Sequence, residues 1–242
     1  MDLLAQGFDS SLPRFFRPDF ATTVRILKDW YVALSEDDHE IVHQHLHSLP
    51  SLLSTVPLEG LLQSMLQFWD PDASVFRFGR CEMTPLVEEY SRLLSIPDEW
   101  TLSVEPVFPH SYQREFSNFQ GLRRLVSDPG LDLEEGTCTI AYLSDQFGAL
   151  GSLCHPHGPV IRSRDQRRSR RPWVFILCFF STFLFPRADG AVDLRLVRVV
   201  RTLQRWRTIV PMVLAETYRA LTRCSRGQSH FFTGAALLLQ FW

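Results

Sequence analysis

Residues 61–97, LLQSMLQFWDPDASVFRFGRCEMTPLVEEYSRLLSIP, constrain the fold more than any other stretch of the chain. An apolar helix runs into Phe68-Trp69 and breaks at Asp70-Pro71. The proline ring fixes φ and pushes the preceding residue out of the α region. Val75 and Arg77 then alternate with Phe76 and Phe78, the period of a half-buried strand. Gly79-Arg80 supplies a hairpin turn. Thr84 and Pro85 read as the cap and first residue of a second helix, with Glu88 and Glu89 near its positive end. Leu86, Tyr90, Leu93 and Leu94 fall on one stripe, and Pro97 ends the helical run. The pattern predicts a helix–hairpin–helix unit with Trp69, Phe76, Phe78, Leu86, Tyr90 and Leu93 in its core, and it names no chemistry.

The rest of the chain extends this into a mainly α, compact multi-helix domain with one small β-hairpin near 74–83. Residues 1–20 read as a loose segment punctuated by Pro13 and Pro18, followed by an acidic helical part over 21–150. Within it, 22–34 is an amphipathic helix, and Ser35 with Asp38 forms a capping box for the next. Residues 98–115 read as a connection, 116–126 as a short helix and 127–130 as a turn, while 137–150 are ambiguous. Residues 151–172 read as an exposed Arg-rich loop. A basic helical part, 173–242, then packs on the first, with Asp193 capping one helix, Pro211 starting another and Gly227 ending it. The apolar ending AALLLQFW, with no cap, predicts that one domain continues past Trp242.

Charge divides the chain. Residues 1–160 hold 23 acids and 10 bases, and residues 161–242 hold 4 acids and 15 bases. Such halves either complement each other or offer the basic one to a polyanion. Lys28 is the one lysine, and it sits in a plain amphipathic segment, so neither a P-loop nor a pyridoxal Schiff base is supported. Five scattered cysteines without a CxxC pair fit reduced thiols inside a cell, and MDLLAQGFDSS is not a signal peptide.

FWDP followed by VFRFGRCEMTPLVEEYSRLLSIP resembles the plant mobile domain family, also labelled aminotransferase-like, in its uncharacterised plant branch. So do FLFPRADGAVDLRLVRVV and IVPMVLAETYRALTRCSRGQSHFFTGAALLLQFW. The resemblance spans residues 20–150 and 173–242 in unbroken order. It implies a non-enzymatic module, transposon-derived or nuclear, acting through protein or nucleic-acid binding, with no cofactor and no catalytic residues to carry over.

Several local patterns compete with that reading. His39-Glu40-x-x-His43 places two imidazoles one helical turn apart with a carboxylate between them, as a zinc-dependent hydrolase requires. Leu46 and Leu49 stand where a metzincin needs Gly and His, so no metal ligand set is assigned, and His39, His43 and His47 are expected partly exposed and titrating near the ordinary histidine value. Cys154, His155 and His157 lack a paired second half, and GQSHF lacks the second glycine of a nucleophile elbow. The run 173–185, WVFILCFFSTFLF, could tether the protein to a membrane, but it is short of the ~20 residues a span needs and reads better as a buried helix or strand. Arg162, Arg164, Arg167, Arg168, Arg170 and Arg171 form the candidate nucleic-acid-binding arm, since a guanidinium fork grips two phosphate oxygens at once. Arg198, Arg201 and Arg205 share a helix face and are expected to meet the acidic half or water. Two echoes complete the pattern: L-x-E-x-Y-x-x-L recurs at 86–93 and 214–221, and LQFW at 66–69 and 239–242, in reversed order, which excludes a tandem repeat.

Overall fold

The run 173–185 is the axis of the molecule. In the computed structural model residues 173–183 of it form the second half of a 20-residue helix whose residues Val174–Phe180 are completely buried. The structure describes residues 12–95, 101–102, 112–120, 130–148 and 164–242 apart from Trp206.

In chain order the elements are α1 (Phe20–Val32), α2 (Glu36–Leu46), a 3-10 turn at Leu49–Ser54 and α3 (Glu59–Leu66). The strands β1 (Trp69–Asp70), β2 (Val75–Phe78) and β3 (Cys81–Met83) come after it, then α4 (Val87–Leu93), β4 (Thr101–Leu102) and α5 (Tyr112–Gln120). Next come β5 (Leu131–Asp132), β6 (Thr137–Cys138), α6 (Ile140–Phe147) and α7 (Arg164–Phe183). The chain ends with β7 (Val192–Asp193), α8 (Leu196–Gln204), β8 (Arg207–Thr208), α9 (Val210–Ser225) and α10 (Ala236–Phe241). The fold is mainly α, as the sequence implies.

Helices α1, α2, α5, α6 and α8 surround α7. No charged residue interrupts 173–185, so every face of that segment can be apolar, which is the signature of a fully buried helix. Its two polar groups are satisfied within the helix: Ser181 and Thr182 donate to the carbonyls of Leu177 and Cys178 at 3.1 and 2.9 Å. Among the described residues no helix is long and apolar enough to cross a membrane.

The helix begins nine residues earlier than expected. Residues 164–172 are not a loop but the first turns of α7, and Pro172 lies inside the helix. A proline there removes one backbone hydrogen bond and is normally costly. The arginines just before it, Arg170 and Arg171, supply the anchorage that compensates. The remainder of the expected loop lies outside the described residues.

The strands are more numerous than one hairpin. β2 and β3 pair as expected around Gly79, whose φ of +64° suits a tight turn, and β1 adds a third antiparallel strand. A second antiparallel sheet joins β5, β6 and β7, and β4 pairs in parallel with β8. Strands of two residues, some of them joined across long sequence separations, are too short to leave an alternating pattern to read. Residues 12–19 are not loose either. Arg14 donates its N–H to the His230 carbonyl and accepts from Phe232, and the ring of Phe15 stacks on Phe232 at 4.6 Å.

A second apolar cluster centres on the hairpin and gathers Phe15, Leu62, Leu66, Trp69, Phe76, Leu221, Phe232 and Leu239. It adjoins the core around α7 through Phe16, Tyr218 and Trp242. The sequence echoes meet in it: α4 packs on α9, α3 packs on α10, and Trp69 and Trp242 flank Phe76 at 4.9 and 5.6 Å. Tyr90 is fully buried, as expected, while Leu93 is half-buried and packs against the core rather than within it. Phe78 and Leu86 are not in the core, being 37% and 49% exposed. Phe78 sits at the outer end of β2 and rests on Phe68 instead, with ring centres 4.8 Å apart. Leu86 precedes the first turn of α4, so the helical phase that put it on the stripe does not apply. Leu94, 1% exposed, takes the inward place. Thr84 is likewise not the cap: its hydroxyl donates to the Ser74 carbonyl and meets the Tyr218 hydroxyl at 2.7 Å.

Trp69 is buried on Phe76 and Tyr218, with its indole N–H on the Thr222 hydroxyl. Trp69→Ala should therefore cost about 3–5 kcal/mol in urea unfolding, whereas Phe78→Ala should cost less than about 1 kcal/mol.

Candidate functional site

The six arginines divide into three groups. Arg162 lies outside the described residues, and the backbone places Arg164, Arg167 and Arg168 in the first turns of α7. Arg170 and Arg171 turn inward. Arg171 donates to the Phe147 carbonyl at 3.0 Å and the Ala33 carbonyl at 2.8 Å, the ends of α6 and α1. Its remaining nitrogen lies 3.8 Å from the Asp38 carboxylate, which also caps α2 together with Ser35. Arg170 donates to the carbonyls of Asn118 and Phe119 in the last turn of α5. Both guanidinium groups thus sit where helices end in unpaired carbonyls and partial negative charge. These two arginines hold the fold together and are not free to form an arm.

The basic half also meets the acidic half directly. Arg198 on α8 grips Glu115 on α5 in a bidentate pair, with Nε to Oε2 at 2.7 Å, and Arg226 reaches Asp72 at 2.6 Å. The expectation that the arginines of this helix pair with the acidic half therefore holds for Arg198.

Arg201, one turn further along α8, makes no hydrogen bond or ion pair with any described residue. It lines a cleft of about 290 Å³ between α5, α7 and α8, together with Phe119, Ser169, Arg170, Trp173 and Gln204. Among the described residues that lining contains two guanidinium groups and no carboxylate. Burial, and then the charge of Arg201, pull Arg170 below the ordinary arginine value. A larger groove of about 610 Å³ beside β7 and α9 differs in kind. Its Arg187, Arg195 and Arg219 are already paired with Asp189, Asp193 and Glu216.

The His39-Glu40-x-x-His43 pattern is helical, on α2, and its two rings lie 6.2 Å apart. The nearest polar partner is a phenol: the Tyr31 hydroxyl is 2.9 Å from His43 Nε2, and the His39 ring stands edge-on to Tyr31. Among the described residues no group of three or more His, Cys, Asp or Glu side chains could hold a metal ion. Cys154, His155 and His157 lie outside the described residues. Ser229 of GQSHF spends its hydroxyl on the Phe231 carbonyl two residues on, at 2.6 Å. His39 and His47 are half-buried and His43 is exposed. Burial holds His47 below the ordinary value, contrary to the expectation for it.

The sequence pattern does not single out His45. It is 7% exposed, packs edge-on against Trp173 at 4.7 Å and is 3.0 Å from the Ile41 carbonyl through Nδ1. Burial lowers its pKa, against the opposing effect of that carbonyl. The thiols of Cys138 and Cys178 are pushed up by burial, and that of Cys224 to about 11, so these three are packing groups rather than nucleophiles.

The class defined by this geometry is a mainly α-helical protein with, among the described residues, three small sheets and a basic cleft. Compared with known proteins, the chain matches no family model, no curated protein and no solved structure.

Arg171→Gln removes a cation from two helix ends and from Asp38, and should lower stability by about 2–3 kcal/mol, with Arg171→Lys intermediate, as read by urea unfolding. His45 gives a pH signature. Its folded value is depressed, so the unfolded chain binds more protons, and stability falls as pH drops from about 6.5 toward the folded value. The stability difference between wild type and His45→Gln should shrink between pH 7 and pH 5 and stay level above pH 7.

Proposed function

We propose that the protein is a non-enzymatic binding module of the plant mobile domain kind, transposon-derived or nuclear, that engages nucleic acid through the start of α7. The observation that carries this reading is the charge of those turns. Residues 164–171 hold five arginines and one aspartate, at the positive end of a 20-residue helix. Cations at a helix N-terminus are disfavoured, each by up to about 1 kcal/mol when exposed. A polyanion lying across Arg162, Arg164, Arg167 and Arg168 would relieve that repulsion and release counterions. Arginine suits this task because its fork grips two phosphate oxygens. The sequence resemblance to the plant family supplies the nuclear and transposon context and is independent of the charge argument.

Fluorescence anisotropy with a labelled DNA duplex tests the reading. Binding should be sequence-independent, with a dissociation constant of about 1–100 μM at physiological salt, and should weaken steeply as salt rises. The variant carrying Arg164→Ser, Arg167→Ser and Arg168→Ser should remain folded, because Arg170 and Arg171 are kept. Its salt slope should be flatter by up to about 3. Binding that is insensitive to salt and to this variant would overturn the reading.

A further inference from the structure

We propose that the cleft between α5, α7 and α8 is a seat for the phosphate group of a small phosphate monoester, gripped between Arg170 and Arg201. The inference stands on different residues from the arm at the start of α7 and does not rest on nucleic-acid binding.

The argument starts from unspent hydrogen-bonding capacity. A guanidinium carries five N–H donors in a rigid fork. One nitrogen of Arg170 is used on the Asn118 and Phe119 carbonyls, which fixes that guanidinium against the end of α5. Arg201 spends none of its donors on a described residue. Seven arginines elsewhere, Arg17, Arg77, Arg187, Arg195, Arg198, Arg219 and Arg226, each have a carboxylate partner. The cleft differs from those pairs: it sets two cations in one concavity and, among the described residues, no acid lines it.

Like charges held in a partly dry cleft repel, and a dianion between them would turn the repulsion into two attractions. A phosphate monoester fits on charge, because it carries nearly two negative charges near neutral pH, whereas a carboxylate carries one. It also fits on geometry, because each fork can take two of its oxygens. The amide of Gln204 lies at the same cleft and can donate to a further oxygen. The volume, about 290 Å³, leaves room for an organic group beside the phosphate, and Phe119 and Trp173 give that space an aromatic wall.

Inorganic phosphate titrated into the full chain at pH 7.5 and low salt tests this. The readout is the arginine side-chain Nε–H resonances in a nitrogen-15 spectrum, with calorimetry for affinity. The expected result is saturable movement of the Arg170 and Arg201 resonances and not of Arg223, which lines the other groove, beside α9, where Asp189, Asp193 and Glu216 also lie. Arg201→Gln should bind phosphate about 10–100-fold more weakly, the loss of one charge-assisted fork, and Arg223→Gln should bind as wild type does. The Arg201 side chain makes no hydrogen bond or ion pair with a described residue, so its variant tests the seat without disturbing the clasp on α5. No movement of the wild-type resonances, or unchanged affinity in Arg201→Gln, or equal competition by acetate, would overturn the proposal. Duplex binding measured on the same proteins separates the two ideas. Loss of DNA binding in the Arg164, Arg167 and Arg168 variant with the phosphate response intact would leave the seat standing. Loss of the phosphate response with DNA binding intact would do the reverse.

Discussion

Two neighbouring arginines hold the helical layer in register. Arg170 and Arg171 are consecutive on α7, yet they reach the carbonyl ends of three different helices, α5, α6 and α1. A helix end buried without partners for its last carbonyls is costly, and here three such ends are served from one point. Arg171 also faces Asp38, which closes the capping box at the start of α2. Four helices around α7 are therefore oriented by two side chains. The apolar contacts of Val174–Phe180 supply adhesion, but adhesion alone does not choose an angle or a depth.

This arrangement explains how a proline can sit inside α7. The turns before Pro172 gain little from apolar contact, since arginines fill them. They are helical because two of those arginines have fixed destinations. The same destinations reduce the candidate arm from six residues to four and place Arg170 in one cleft with Arg201, which has no carboxylate partner among the described residues.

How much of this was legible in the sequence depends on where each signal resides. The run 173–185 announces a buried element by composition alone, and Gly79, Pro211 and Gly227 mark turns and helix ends through backbone geometry that few other residues adopt. The hairpin at 75–83 is legible through local alternation. The clasp was not legible, because its acceptors are main-chain carbonyls, which every residue possesses and no sequence pattern marks. Pairs such as Glu115 with Arg198 and β6 with β7 join segments separated by more than fifty residues, and charge division predicts only that some such pairing exists. The cleft was half legible: helical spacing places Arg201 on a helix face, but not opposite Arg170, because that depends on how α7 and α8 cross.

The burial of α7 also sets an order of events during synthesis. Helices α1 and α2 leave the ribosome more than a hundred residues before α7, and the surfaces of Leu27, Trp30, Val42 and Leu46 have their main partner in it. Until α7 emerges, the acidic first half carries apolar faces that its own contacts with α6 and the 3-10 turn cover only in part, and like charges that repel one another. Folding of this half is thus gated by a segment translated late, the kind of non-local dependence that slows folding and prolongs exposure to chaperones. The acidic surplus of the first half, which meets basic partners such as Arg171 and Arg198 in the finished molecule, repels other nascent chains while that half waits for its centre.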